Sequence, residues 1–272
     1  MAKHDAPGGS PRRTLITGAS SGIGRATAEL LAREGHALAL IARRQQRLEE
    51  LCSSLPANRP AHLALGADLA EPAELERAFK AAAKHLGGLD LVVLNAGIGY
   101  RARVEDLEPE PLRRLLSTNV EAVLLGAKEA LPHLMAGRRP HLILVSSVVG
   151  RRGMPTMAAY SASKAAVCSI GESLRIEWRH LGIQVSVLNP GTTATEIFAV
   201  QHNPKGLKNP DLSAADAPEA VAAEILALDR HPQPERFLRW KWRYLAALGL
   251  VAPRLADRLF ASRDWMPPPP ER

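Results

Sequence analysis

Short apolar runs alternate with longer stretches of helical periodicity through the first 230 residues. Arg13–Thr17 (RTLIT) is apolar, rich in β-branched residues and stopped by a glycine, which predicts a buried strand. The runs 37–42 (ALALIA), 62–65, 89–94 (LDLVVL), 142–145 and 183–188 (IQVSVL) continue the series. Between them, apolar residues recur at three- and four-residue spacing. That pattern predicts helices at 23–33, 44–54, 72–86, 109–136 and 156–181. A last helix near 217–229 precedes a short strand at Phe237 and Leu238. Strands alternating with helices imply parallel pairing through helical crossovers. The predicted fold is therefore α/β, one open, doubly wound parallel sheet over 12–239, with 240–272 as a helical extension. Residues 1–11 are polar and Pro/Gly-rich, and read as a disordered lead-in. In such sheets ligands bind at the carboxyl ends of the strands, near the reversal in strand order.

The segment after the first strand is TGASSGIG, residues 17–24. Gly18 permits a tight turn, Gly22 lets the backbone approach a pyrophosphate, and Gly24 lets the next helix sit close to the strand. The helix start then offers free N–H groups and the positive end of its dipole to an anion. A glycine-rich turn without a ligand is the plain alternative, and the position directly after strand one favours the phosphate site. The second strand ends in Arg43 and Arg44, where sites that bind a ribose 2′-hydroxyl carry a carboxylate. Arginine instead suits a 2′-phosphate, through a contact worth about 1.5–3 kcal/mol. Arg43 is the preferred phosphate ligand and Arg44 its helper; the alternative makes both surface arginines at a helix start.

Tyr160 and Lys164 form a YxxxK pair, and i,i+4 spacing puts them on one helix face. A nearby ammonium favours the phenolate and is expected to lower the phenol from about 10. Ser147 follows the 142–145 strand, where a hydroxyl can hold a substrate oxygen. Asn119 lies inside a predicted helix, although asparagine is a poor helix former, which suits a buried hydrogen-bond relay. Taken singly, these read equally as a capped core tyrosine, a surface lysine and a loop serine.

Together TGASSGIG, Asp68-Leu69, Asn95-Ala96-Gly97, Asn119, Ser147, YSASK (160–164) and Asn189-Pro190-Gly191 resemble the short-chain dehydrogenase/reductases, over about residues 12–238. The resemblance implies a Rossmann-type fold and an NADP(H)-dependent oxidoreductase acting on a carbonyl or secondary alcohol. Gly18, Gly22, Ile23 and Gly24 would cradle the pyrophosphate, with Ser20 and Ser21 nearby. Asp68 would accept the adenine amino group, and Asn95 would lie under the ribose. Pro190, Gly191, Thr193 and Thr195 would orient the nicotinamide. Asn119, Ser147, Tyr160 and Lys164 would be the catalytic set, with Tyr160 as general acid/base and Lys164 also on the nicotinamide ribose. The alternative is a non-catalytic NADP-binding redox sensor, which the intact tetrad disfavours. Relatives pair the helices expected at 109–136 and 156–181, so a homodimer or homotetramer is expected.

The composition adds boundaries. The chain has 272 residues, a mean hydropathy of −0.10, 46% hydrophobic and 23% charged residues, which suits a soluble globular protein. Cys52 and Cys168 make neither a CxxC pair nor metal-ligand spacing, so no metal site is expected and a reduced, cytoplasmic setting is the default. From Arg230 onward there are nine bases and four acids, so most of the net charge of +7 falls in the tail. That distribution weakens a nucleic-acid reading. In the tail, Leu238, Trp242, Leu245 and Gly249 fall near one helical face; after Pro253, Leu255, Ala256, Leu259 and Phe260 form a second stripe. These stripes have two readings: a cap over the substrate pocket or a neighbouring subunit, or peripheral contact with an anionic membrane. Ile197, Phe198 and Val200 in the substrate-loop segment, and Val148, Val149, Met154 and Met157 near the catalytic residues, predict an apolar pocket.

Overall fold

A computed structural model describes residues 11–261; the expected lead-in and the last eleven residues lie outside the described part, apart from Pro11. Seven parallel strands form one sheet in the order β3-β2-β1-β4-β5-β6-β7. They are β1 (Arg13–Thr17), β2 (Ala37–Ala42), β3 (Leu63–Gly66), β4 (Leu91–Leu94), β5 (His141–Val145), β6 (Gln184–Asn189) and β7 (Glu235–Phe237). Strand order reverses between β1 and β4. Both lie in the middle of the sheet, so the crevice above their carboxyl ends is the natural ligand site.

Helices cover both faces. Alternate residues of β4 and β5 point opposite ways: Val92, Leu94, Leu142 and Leu144 join one core, while Leu91, Val93, Ile143 and Val145 join the other. The first core takes its helical half from α3 (Pro72–Leu86), α5 (Ala122–Met135) and α6 (Ala158–Glu177). The second takes it from α1 (Gly22–Arg33), α2 (Gln45–Ser54) and α8 (Pro218–Arg230). Burial on both faces explains why the strands read as continuous apolar runs, with all six residues of β2 buried. Prolines at the first position of α3 and α8, and the left-handed Gly87 after α3, set those helix limits. At the opposite edge from the ligand crevice, the fully buried Asp90 accepts hydrogen bonds from the Arg13 N–H (2.9 Å), Arg13 Nη2 (2.7 Å) and the Arg138 N–H (2.7 Å). This knot ties down the lower ends of β1 and β4.

Three segments differ from the sequence pattern. The long helix expected at 109–136 is divided into α4 (Pro109–Leu116) and α5 by a wide π turn, Ser117–Glu121. The last strand is Glu235–Phe237, set by pairing with β6, not Phe237 and Leu238. A short helix, α7 (Ile197–Val200), interrupts the loop after β6. The tail forms α9 (Trp240–Val251) and α10 (Pro253–Ala261), separated at Pro253.

Candidate active site

The crevice above β1 and β4 is a groove whose walls include Gly18, Ser20, Ser21, Gly22, Arg44 and Asp68. Its floor is the turn from β1 into α1. Gly18 and Gly22 adopt positive φ angles of 69° and 51°, which L side chains rarely take. A Cβ on Gly22 would lie 2.9 Å from Thr195 Cγ2, and one on Gly24 would run into the Gly18 carbonyl oxygen. The start of α1 carries no side-chain cap and no acid in its first turn, so its N–H groups remain available to an anion. Ile23 lines the same groove. Asn95 ties the ends of the two strands together: its Nδ2 donates to the Thr17 carbonyl (3.0 Å), and its N–H to Thr17 Oγ1 (3.0 Å).

Arg43 and Arg44 both line the groove. Arg44 is the one that reaches the glycine turn, donating to Ser21 Oγ (2.7 Å) and Ser20 Oγ (3.1 Å). Its other edge meets Glu196 Oε2 at 2.8 Å, and Arg47 meets the same carboxylate at 2.9 Å. This clasp joins the end of β2 to the segment leading into α7. At the far end of the groove Asp68 pairs with Arg114 of α4. Burial opposes ionisation there, but the Arg114 guanidinium and the Ala70 N–H hold the Asp68 carboxyl below the usual range. Neither Arg114 nor Glu196 was singled out by the sequence; both enter the groove from other elements and belong to no local motif.

The four catalytic candidates gather where this groove meets a second cavity. Asn119 is fully buried in the π turn. Its Oδ1 accepts from the Ile98 N–H (2.8 Å), while its Nδ2 donates to the Ile98 carbonyl (3.0 Å) and to Ser163 Oγ (3.1 Å). These bonds lock the loop after β4 to the helix pair, and they account for the break in α4–α5, since π turns form where the regular ladder is diverted. Lys164 Nζ donates to the Val145 carbonyl (3.1 Å) and stands 5.9 Å from the centre of the Tyr160 ring. A Cβ on Gly97 would lie 3.2 Å from Asn119 Oδ1 and 3.3 Å from Lys164 Nζ, so both polar atoms converge on that glycine. Ser147 is fixed by the Val149 N–H (3.4 Å) and by its own donation to the Pro190 carbonyl (3.5 Å). Its neighbour Ser146 donates to the Lys164 carbonyl at 2.7 Å.

The electrostatics differ from the expectation of a lowered phenol. Burial pushes the Tyr160 phenol up to about 12 and the Lys164 ammonium down to about 8. Low-dielectric surroundings disfavour both charged forms, and the lysine cation at 5.9 Å does not offset that for the tyrosine.

The second cavity is mainly apolar. Val148, Val149, Met154, Met157, Ile197 and Phe198 line it, together with Ser147, Pro190, Gly191 and Thr193. Tyr160 and Thr195 line cavity and groove alike. Val200 lies on the groove side and is largely exposed. The tail closes the cavity: Trp242, Leu245 and Ala246 of α9 form part of its wall. Gly249 abuts Arg152, which pairs with Asp257 of α10. The first of the two tail stripes therefore faces inward, whereas in the second Ala256 is buried and Leu255 and Leu259 are exposed. Trp240, Tyr244, Leu250 and Val251 are the exposed apolar residues of α9.

A family model described as short chain dehydrogenase matches residues 12–205. An uncharacterized oxidoreductase of Mycobacterium tuberculosis is 36% identical over 253 residues, 92% of this chain and 97% of the relative. Among solved structures, a short-chain dehydrogenase from Sphingobium yanoikuyae in complex with NADPH superposes with a TM-score of 0.74 at 28% identity, covering 94% of this chain and 98% of that one. A 3-ketoacyl-(acyl-carrier-protein) reductase from Brucella melitensis complexed with NADH gives a TM-score of 0.74 at 28% identity, covering 83% and 95%. Motifs, sheet order and relatives thus lead to one family, and this protein is an oxidoreductase belonging to the short-chain dehydrogenase/reductases.

Proposed function

We propose that the protein is an NADP(H)-dependent carbonyl reductase, or secondary-alcohol dehydrogenase in reverse, with Tyr160 as its general acid/base. The observation that carries this reading is the position of Tyr160. It lies where the phosphate-binding groove opens into an apolar cavity, with Lys164 beside its ring and Asn119 behind. The groove suits a dinucleotide: a positive-φ glycine turn, an uncapped helix start and a guanidinium poised over two serines all favour a phosphate. Arg43 and Arg44, in the absence of a carboxylate at the end of β2, favour the 2′-phosphorylated form.

When bound, the nicotinamide supplies or accepts the hydride. The rest is work for the chain. Thr193, Thr195 and the Pro190-Gly191 turn would hold the dinucleotide's reactive end, and Asp68 and Asn95 would hold its adenosine end. Ser147 steadies the substrate oxygen by a hydrogen bond. Tyr160 gives its proton to that oxygen as negative charge develops. Lys164 favours the resulting phenolate, and Asn119 supports Lys164 by fixing the loop at Gly97. A phenol near 12 stays protonated through neutral pH, as an ordinary tyrosine does, so its proton is in place for transfer.

Exposed Leu116, Leu124, Met135 and Ile176 on α4, α5 and α6 favour a homo-oligomer. Among the described residues, no helix is long and apolar enough to cross a membrane. Contact with a membrane surface would fall to the outward face of α9.

The test is turnover of a ketone panel with NADPH and NADH. Tyr160→Phe is expected to lower kcat by at least a hundredfold while cofactor affinity stays within about twofold. Cofactor binding without turnover of any carbonyl or alcohol would favour the non-catalytic sensor instead.

A further inference from the structure

Among the described residues, the side chains lining the apolar cavity include two arginines and no acid. Arg152 is held by Asp257. Arg101 is different. It is 6% exposed, its Nε is shut away from solvent without an acceptor, and its guanidinium meets neither a carboxylate nor a carbonyl among the described residues. Burial alone acts on it, pushing its pKa down with no anion to offset the cost.

The backbone around Arg101 is pinned on both sides. Its N–H donates to the His202 carbonyl (2.8 Å), and the Ala102 N–H donates to the Thr156 carbonyl (2.9 Å). The preceding Tyr100 is buried, and its hydroxyl accepts from the Glu108 N–H at 3.0 Å. Arg101 is therefore no loose surface arginine folded inward. An unpaired charge held this firmly out of water is costly, and folded chains keep such groups where a ligand completes them. That ligand is not the dinucleotide, because Arg101 lies outside the phosphate groove. It faces the catalytic cavity and an adjoining hollow lined by Lys208, Lys241 and Arg239 against Asp211 and Asp216, the last of which is paired with Arg239, so bases outnumber acids there too.

We propose that Arg101 anchors an anionic group on the substrate. The compound reduced at Tyr160 is then an amphiphile. Its apolar body rests against Met154, Met157, Phe198 and Trp242, and it ends in a carboxylate or phosphate at Arg101. The carbonyl part of this statement rests on the hydride-transfer reading above; the anion site does not.

Isothermal titration calorimetry on the full chain separates the two. The probes are octanoate, octyl phosphate and octanol, none of them a carbonyl substrate. At least one anion is expected to bind tenfold to a hundredfold more tightly than octanol, and the tighter of the two identifies the head group. That margin is expected to vanish in Arg101→Met and to survive in part in Arg101→Lys, which keeps the charge without the planar fork. In turnover, a keto acid is expected to exceed its methyl ester by the same factor in kcat/KM, and Arg101→Met to bring the ratio near one. Octanol binding as tightly as both anions, or an anion margin that persists in Arg101→Met, overturns the proposal. Anion binding that depends on Arg101, with no carbonyl turned over, keeps the site and removes the hydride-transfer reading.

Discussion

Lys164 shows how a single residue sets function against stability. Its ammonium is buried and donates to the Val145 carbonyl, and its pKa falls from 10.5 to about 8. At pH 7 the folded and unfolded chains both carry the proton, so the full cost of burying the charge applies, about 3 kcal/mol. As pH rises from 8 towards 10.5, the folded chain releases its proton first and the cost is relieved. Stability due to this group therefore increases with pH across that window. Lys164→Met is expected to unfold at higher denaturant than the parent at pH 7, by about 1–3 kcal/mol, with the gap closing towards pH 10 and turnover lost. Denaturant melts at several pH values check this; a gap independent of pH would count against the buried charge. The YxxxK spacing made the pair legible in the sequence. The direction of the phenol shift was not legible, because burial is a property of the assembled site.

At the scale of elements, the strands were legible because burial on both faces leaves uninterrupted apolar runs. The break between α4 and α5 was legible only as an anomaly. Asn119 looked misplaced in a helix, but its partner Ile98 lies about twenty residues earlier, after β4. The role of α9 could not be read from periodicity, since a stripe that packs and a stripe that meets lipid look alike. The structure puts Trp242 into the cavity wall, with its Nε1 2.9 Å from where a Gly191 Cβ would be. Trp242→Ala is expected to raise KM for apolar ketones about tenfold or more with little change in cofactor affinity, because the cavity loses a large part of its lid. Steady-state kinetics on a ketone series resolve this, and an unchanged KM would mean that α9 does not cover the substrate.

For the whole molecule, the motifs spread over about 12–238 made the sheet legible, because those after β1, β3, β4, β5 and β6 sit at strand ends where the fold needs them, while Asn119 and the YSASK segment lie on the helical segments between. What the sequence left open was tertiary: Arg101, Arg114 and Glu196 reach their sites from segments without local signals. The described part of the tail is tied to the body, since Arg239 pairs with Asp216 and Arg152 with Asp257. Apolar side chains left outside include Leu116 on α4, Leu124 and Met135 on α5, and Ile176 on α6. Sedimentation at micromolar concentration is expected to give a dimer or tetramer. Replacing Leu124 and Ile176 by Glu is expected to shift it to monomer without unfolding, because both are 50% or more exposed in the single chain.

The clasp at Glu196 makes the chain its own competitor. Beside Arg43, the preferred ligand for a 2′-phosphate, one edge of the helper Arg44 is already occupied by a carboxylate, so recruiting Arg44 is an exchange of one anion for another. Exposed pairs of this kind contribute about 1 kcal/mol or less. The advantage of the phosphorylated dinucleotide is thus expected to fall short of what a free arginine would provide, by up to about fivefold. Removing the decoy should restore it. Glu196→Gln is expected to bind NADPH up to about fivefold more tightly while its affinity for NADH barely moves. Titrating both dinucleotides against both proteins measures this self-imposed handicap, and equal gains for the two would show that Glu196 merely obstructs the groove.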